Sequence, residues 1–495
     1  MNRIVFPFLM FVSLASFAQV PQDTSIKTLI AEINKFSKDP CMKNAKWGIC
    51  VLTADSNKTV VAFNDTVGLI PASTMKAINT AASLHILGKD FKFKTCLFYE
   101  GDIDNEGTLK GNIYIKGGGD PSLGSPRIDT MADMKYLLPI WVENIRKQGI
   151  KKIDGAIVGD ASIFDDTIAP PSWVYGDLGN YYGAGASGLT FHENTFRIIF
   201  KPGIKYRDSV KIVELDPPMP YIKITNKVWT GGVYTPDDLW VYGGPYDNTR
   251  IIKGVVPRVK KEFIMRSSIP DPSFFCAYSL FKALSDSGIV VKDSSTTLKT
   301  LKENGEFKPK ALTVFYSMES QPLDTIAYYT NQKSLNTWAE DIIKILAFEK
   351  TGTGSTYNGI QLVKEFWKSK GVNLEGFVMK DGSGLSPENR VSPRQLAEFM
   401  RAYIPDTMFP VFYHTLPIAG VSGTISKIFK GTFAENNLRA KSGYMRGIRS
   451  YTGYVYNKKN KFLTFGVIVN KHTASAEKMR SMLEKIMILI SETEW

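Results

Sequence analysis

Five strand-like segments stand at opposite ends of this chain, and any fold has to bring them together across everything that lies between. Near the start, WGICVLTA (Trp47 to Ala54) and TVVAFN (Thr59 to Asn64) flank the turn residues DSNK, the pattern of a hairpin. Near the end come NLRAKSGYMR (Asn437 to Arg446), RSYTGYVYN (Arg449 to Asn457) and KFLTFGVIVN (Lys461 to Asn470). Helical periodicity fills the remaining ground. Thr24 to Phe36 precedes the hairpin, and PASTMKAINTAASLHIL (Pro71 to Leu87) follows it with an apolar stripe of Ala77, Ile78, Ala81, Ala82 and Leu84. Asp324 to Glu349 carries Leu335, Trp338, Ile342, Ile345 and Leu346 on one face; Ser355 to Gly371 and Ala474 to Ser491 complete the set. This is an α/β (α+β) pattern: one sheet built from both chain ends and covered by helices.

The stretch from Lys94 to Val314 has a different texture of short strands and Gly/Pro-rich turns, with helices near Met131 to Gln148 and at Pro272 to Gly288. It reads as an insertion, with a mostly strand-like module at Phe196 to Phe263 nested inside it. A chain of 495 residues is too long for one ordinary core, which agrees with that division.

The opening segment MNRIVFPFLMFVSLASFAQ has Arg3, an apolar run and small residues before Gln19, and is expected to be a cleavable signal over residues 1–18. The mature protein is then exported, to the periplasm or cell envelope. The net charge of +13 suits a polyanionic neighbour. Export and the dispersal of the basic residues argue against nucleic acid, so a peripheral contact with an anionic envelope surface or wall polymer is expected. Cys41, Cys50, Cys96 and Cys276 match no zinc spacing and leave no metal implied; Cys41 and Cys50 are near enough in sequence for a local bridge.

Only four histidines occur, none in a Gly-x-Ser-x-Gly or zinc context, which disfavours a Ser-His-Asp hydrolase. A lysine is the alternative base. Ser73 and Lys76 are three residues apart at the start of a predicted helix and share a face. A lysine accepts a proton only when neutral, so a second fixed cation is expected to lower its pKa. Lys441 of Lys441-Ser442-Gly443, on a strand-like segment, supplies that cation, and the glycine admits a substrate chain against the strand edge. Ser334-Leu335-Asn336 offers a hydroxyl to relay a proton and an amide to hold a substrate backbone. Singly these triplets are common; their order, and the elements that carry them, are those of penicilloyl serine transferases.

With those triplets, GNIYIKGGGDPSLGS (Gly111 to Ser125), GDASIFDD, PSWVYGDLGNYYGAGASGLT (Pro171 to Thr190), DGSGLSPENRVSP (Asp381 to Pro393), LPIAGVSGTI (Leu416 to Ile425) and AKSGYMRGIRSYTGY (Ala440 to Tyr454) resemble the D-alanyl-D-alanine carboxypeptidase/endopeptidase family of low-molecular-mass class C penicillin-binding proteins. The resemblance implies a transpeptidase-like domain (19–93 and 315–495) with a five-stranded antiparallel sheet flanked by helices. It also implies two nested, strand-rich insertions, one of residues 94–195 and 264–314 and one of residues 196–263. It makes Ser73 the acylated nucleophile, Lys76 its base, Ser334 and Asn336 the relay and amide contact, and Lys441, Ser442 and Gly443 the carboxylate site and strand edge. The N–H groups of Ser73 and Tyr444 become the oxyanion hole. Asp177, Tyr182 and Met445 cradle the diamino acid of a peptidoglycan stem peptide, β-lactam antibiotics are covalent inhibitors, and no cofactor is needed. Two departures stand out. Ser442 replaces a common threonine and keeps the hydroxyl; Pro387 replaces a common arginine, leaving the diamino-acid preference open and Arg390 a candidate to compensate. The rival readings are a β-lactamase or esterase on the same fold, and a non-catalytic protein that binds wall peptides.

Overall fold

The computed structural model describes residues 24–128, 132–236, 238–258 and 261–495, so the expected signal at 1–18 lies outside the described residues. The chain ends meet in one sheet. Strands β1 (Lys46–Thr53) and β2 (Thr59–Phe63) join β3 (Arg439–Met445), β4 (Ile448–Tyr456) and β5 (Phe462–Asn470) in the order β3-β4-β5-β1-β2, every pair antiparallel. The seam is β1 on β5, in register from Lys46 opposite Asn470 to Thr53 opposite Leu463.

Alternation along the strands sends side chains to two separate cores. Ile49, Val51, Val455, Val467 and Val469 face α1 (Thr24–Ser37) and the closing helix Ala476–Ser491. Tyr454 and Ile468 face the other way, toward α2 (Met75–Leu87) and the helices after the insertion. Every residue of α2 from Met75 to Leu84 is buried, so this helix is a central post rather than a surface element.

One expected helix is two. The periodic stretch Asp324 to Glu349 breaks into α3 (Leu323–Lys333) and α4 (Asn336–Thr351) because Ser334 takes a left-handed φ of +57° and closes α3 by donating its N–H to the Thr330 carbonyl. Leu335 still packs on the same core as Trp338 and Ile342, which is why the apolar stripe runs through the break unmarked. The expected Cys41–Cys50 bridge is absent, and all four cysteines are free thiols. Cys41 joins the core of Ile49 and Val51, whereas Cys50 points to Leu52 and Ala397 on the opposite face of β1.

The stretch between α2 and α3 has its own core, running from Leu97 to Ile289. Its main sheet is mixed, in the order Ser295–Thr297, Ile157–Asp160, Ile113–Lys116, Lys94–Glu100, Leu312–Glu319. Residues from Thr195 to Ser268 form two three-stranded sheets: Phe263–Ser268 with Thr195–Lys201 and Lys211–Asp216, and Lys223–Thr230 with Thr249–Val256 and Asp238–Tyr242.

Candidate active site

Pro71 and the small residues after it turn the chain sharply into α2. Ala72 takes φ +48° and opens a single 3-10 turn, Ala72–Thr74, that feeds the helix. Ser73 therefore stands at a helix N-terminus, where the aligned peptide dipoles favour developing negative charge. The buried Lys76 ammonium reaches back one turn, as the spacing predicts, and donates to Ser73 Oγ at 3.0 Å. It also donates to Asn336 Oδ1 at 2.6 Å and to the Ser383 carbonyl at 2.7 Å.

Burial holds Lys76 down from the ordinary 10.5 to about 7, against an upward pull from Asp381 and Glu340. This corrects the expectation that a second cation does the lowering: removing the ammonium from water is the larger cause. The repulsion is registered instead at Lys441, which burial, then the charges of Lys76 and Arg449, push well below the usual lysine range. Lys441 Nζ donates to Ser334 Oγ at 2.9 Å and to the Ser442 carbonyl at 2.8 Å. The break between α3 and α4 thus brings Ser334 to one lysine and Asn336 to the other.

Strand β3 lies against the Ser73 turn. A Cβ at Gly443 would stand 2.7 Å from the Pro71 carbonyl oxygen and 3.0 Å from Ser73 N, so only glycine permits this approach. Ser442 Oγ donates to Thr424 Oγ1 at 2.7 Å. Tyr444, 54% exposed, lies beneath the Arg449 guanidinium, and Met445, partly buried, ends the strand. The insertion enters here too. Asn336 Nδ2 donates to the Tyr182 carbonyl at 2.7 Å, Thr337 Oγ1 to the Ala184 carbonyl at 2.7 Å, and Tyr182 OH to Asp177 Oδ1 at 3.2 Å. Burial raises the Asp177 carboxyl. The sequence-predicted site residues Ser73, Lys76, Ser334, Asn336, Lys441, Ser442 and Gly443 all converge here, and Asp177 and Tyr182 join them through the Tyr182 backbone. Pro387 is partly exposed on the loop that follows Ser383, and Arg390 is an exposed residue paired with Val378 through its backbone.

Two buried carboxylates at the site carry no mark in the motifs. Fully buried Asp381 accepts from Trp173 Nε1 at 2.8 Å, Gly384 N–H at 2.8 Å, Ser386 N–H at 2.6 Å, Asn389 Nδ2 at 2.7 Å and Ser383 Oγ at 3.3 Å. Glu340, also buried, accepts from Ser383 N–H at 2.8 Å and Gly382 N–H at 3.2 Å. The two carboxylates hold the loop so that the Ser383 carbonyl faces Lys76. Glu340 sits one turn after Asn336 on α4, a spacing that marks a shared helix face. Asp381→Ala would strand several buried donors at once and is expected to lower stability by about 3 kcal/mol or more, read as a reduced urea midpoint.

The chain matches the model of the D-Ala-D-Ala carboxypeptidase 3 (S13) family over residues 29–488. It belongs to that family. The S13 assignment carries the serine-hydrolase class expected from the motifs. Relatives include a D-alanyl-D-alanine carboxypeptidase of an Actinomadura species, 25% identical over 90% of this chain and 81% of its own. Another is the D-alanyl-D-alanine carboxypeptidase DacB of Haemophilus influenzae, 25% identical over 86% and 85%. Among solved structures, penicillin binding protein 4 (dacB) from Haemophilus influenzae has a TM-score of 0.78 at 23% identity, covering 94% of this chain and 98% of that one. Its complex with a novel β-lactam has a TM-score of 0.74 at 22% identity, with the same coverage. At these identities the likeness is one of fold, and it agrees with the five-stranded antiparallel sheet, flanked by helices, that the resemblance implied.

Proposed function

We propose that this S13 protein hydrolyses D-Ala-D-Ala termini and cross-links of peptidoglycan stem peptides through an acyl-enzyme on Ser73, and that β-lactams acylate the same oxygen. The observation that carries the reading is the 3.0 Å bond from Lys76 to Ser73 Oγ, made by a lysine whose pKa burial lowers to about 7. Neutral Lys76 takes the Ser73 proton as Oγ attacks the carbonyl carbon of the scissile peptide. The N–H groups of Ser73 and Tyr444 hold the resulting oxyanion. Lys441 and the Ser442 hydroxyl receive the terminal carboxylate, whose negative charge favours the ammonium form of Lys441 against the pull of burial and of Lys76. Lys76 then gives up the proton it took, and Ser334, bonded to Lys441, relays it to the leaving amine while Asn336 holds the substrate amide, so that Lys76 is neutral again. Water then attacks the ester, Lys76 takes its proton and passes it to Ser73 Oγ as the acyl bond breaks, and the free serine is restored.

The same reading assigns Asp177, Tyr182 and Met445 to the diamino-acid side chain. It divides the chain into a catalytic unit (19–93 and 315–495), an inserted unit (94–195 and 264–314) and a nested one (196–263), exported by the leader at 1–18. Digesting purified wall fragments is the test. Free D-alanine or separated cross-linked peptides are expected, and release of neither would end the proposal. The pH dependence has a definite sign. The active form of Lys76 is the neutral one, so acylation is expected to hold steady above about 7 and fall about tenfold per pH unit below it. A stopped-flow acylation profile that stays flat down to about pH 5 would contradict the lysine base.

A further inference from the structure

The strand-rich module between Thr195 and Ser268 exposes apolar side chains at the tips of two loops. In the first, at 202–209, Ile204 is 87% and Tyr206 55% exposed; in the second, at 231–236, Tyr234 is 96% and Val233 37% exposed. The loops are neighbours. Thr230, where the strand Lys223–Thr230 ends, accepts from Arg207 N–H through its carbonyl, donates its N–H to the Asp208 carbonyl, and takes Gly203 N–H on its hydroxyl. Tyr206 sets its ring edge-on to Trp229 at 5.7 Å, extending the apolar tip onto the sheet. Isolated surface hydrophobes need no explanation, but four large ones on two adjoining loops form a patch.

The first loop is basic, whereas the second carries no cation and is followed by exposed Asp238, whose carboxylate accepts from Trp240 Nε1 at 2.8 Å. The first loop and its flanks, residues 201–211, carry Lys201, Lys205, Arg207 and Lys211 against Asp208 alone. The Asp208 carboxylate is engaged internally by Lys205 N–H at 2.7 Å. Lys227 stands on the same outward sheet face as Trp229, two residues nearer the sheet centre, while Lys253 beside it turns its ammonium over the Tyr242 ring, away from the tips. Apolar and aromatic tips beside a basic loop of Lys201, Lys205, Arg207 and Lys211 are the chemistry of a peripheral bilayer contact: the tips enter the headgroup boundary and the cations of the first loop meet anionic lipid. Ile204, nearly wholly exposed and aliphatic, has no use in stacking on a sugar and favours hydrocarbon over a saccharide.

We propose that the loops at 202–209 and 231–236 dock this protein on an anionic phospholipid surface. Among the described residues no helix is long and apolar enough to cross a membrane, so the contact would be peripheral. The placement suits the enzyme. The loop holding Asp177 and Tyr182 packs on the same sheet toward its opposite end, where Gly179 lies against the Val241 carbonyl and a Cβ would come within 2.2 Å. Docking by the tips leaves that loop, and the cleft it borders, free for substrate.

The test is sedimentation of the mature full chain with vesicles of equal parts phosphatidylglycerol and phosphatidylethanolamine, compared with phosphatidylcholine alone. Binding to the anionic vesicles is expected, weakening as salt rises. Ile204→Ser/Tyr234→Ser is expected to weaken it about tenfold or more. Lys205→Glu/Arg207→Glu, a pair of surface changes that leaves the module core untouched, is expected to weaken it at least as much. Both variants should keep wild-type β-lactam labelling of Ser73, which reports an intact cleft independently of the lipid contact. The proposal is overturned if the wild type does not bind anionic vesicles at low salt, or if both labelled variants bind as wild type does. It is equally overturned if the variants lose binding to insoluble wall material while keeping it to vesicles, since the patch would then be a saccharide site.

Discussion

Ser73→Ala is expected to abolish covalent labelling by β-lactams and to cut D-alanine release by at least about 10⁴-fold, the scale seen when a serine nucleophile is removed and only binding and oxyanion contacts remain. The substitution is a clean one here. The hydroxyl's bond in the structure is the one it accepts from Lys76, and without it that ammonium keeps the Asn336 side chain and the Ser383 carbonyl. Stability should therefore stay within about 0.5 kcal/mol of the parent, as for substitutions that create no cavity and strand no donor. Lys76→Ala would inactivate as well, but it empties a fully buried site and leaves Asn336 Oδ1 and the Ser383 carbonyl without their donor, so its effect would mix chemistry with folding. Mass spectrometry of the penicillin-treated variant decides the matter. An adduct still formed on Ser73→Ala, or peptide hydrolysis at the parent rate, would remove the nucleophile from the proposal.

The sheet and the two lysines were legible because each has a local signal. Strand pairs read by alternation, and Ser73 to Lys76 and Lys441 to Gly443 are short motifs on single elements. What the sequence hid is created by tertiary contact. The left-handed turn at Ser334 has no glycine or proline to announce it, and the apolar stripe of Leu335, Trp338 and Ile342 continues across it. Without that turn Ser334 and Asn336 would project from one continuous helix instead of serving Lys441 and Lys76 separately. Likewise, nothing in a pattern of residues indicates that Glu340 and Asp381 will hold the Ser383 carbonyl against Lys76, because their partners are main-chain groups 42, 43, 3 and 5 residues away. The cause of the lowered Lys76 pKa is hidden for a related reason: charge can be counted along a chain, whereas dehydration depends on the whole of α2 being a central post.

Gly443→Ala is expected to reduce the acylation rate by about 10²-fold or more while leaving the protein folded, because one methyl group would be driven into the turn that carries Ser73, the proposed nucleophile. The added Cβ would come within 2.2 Å of Ser450 Oγ, 2.7 Å of the Pro71 carbonyl oxygen and 3.0 Å of Ser73 N. Ser450 could rotate, yet its hydroxyl donates to that same Pro71 carbonyl, so moving it costs a buried hydrogen bond. Pro71 and Ser73 are main chain and cannot step aside without shifting the Ser73 N–H and hydroxyl together. The double variant Gly443→Ala/Ser450→Ala separates these causes. If the Ser450 contact dominates, removing its hydroxyl restores acylation; if the backbone contacts dominate, the rate stays low, and the geometry favours the second outcome since 2.7 Å to a carbonyl oxygen remains. Acylation of Gly443→Ala at the parent rate would mean that β3 can withdraw from the Ser73 turn at no cost to catalysis, and the strand edge would lose its place in the site.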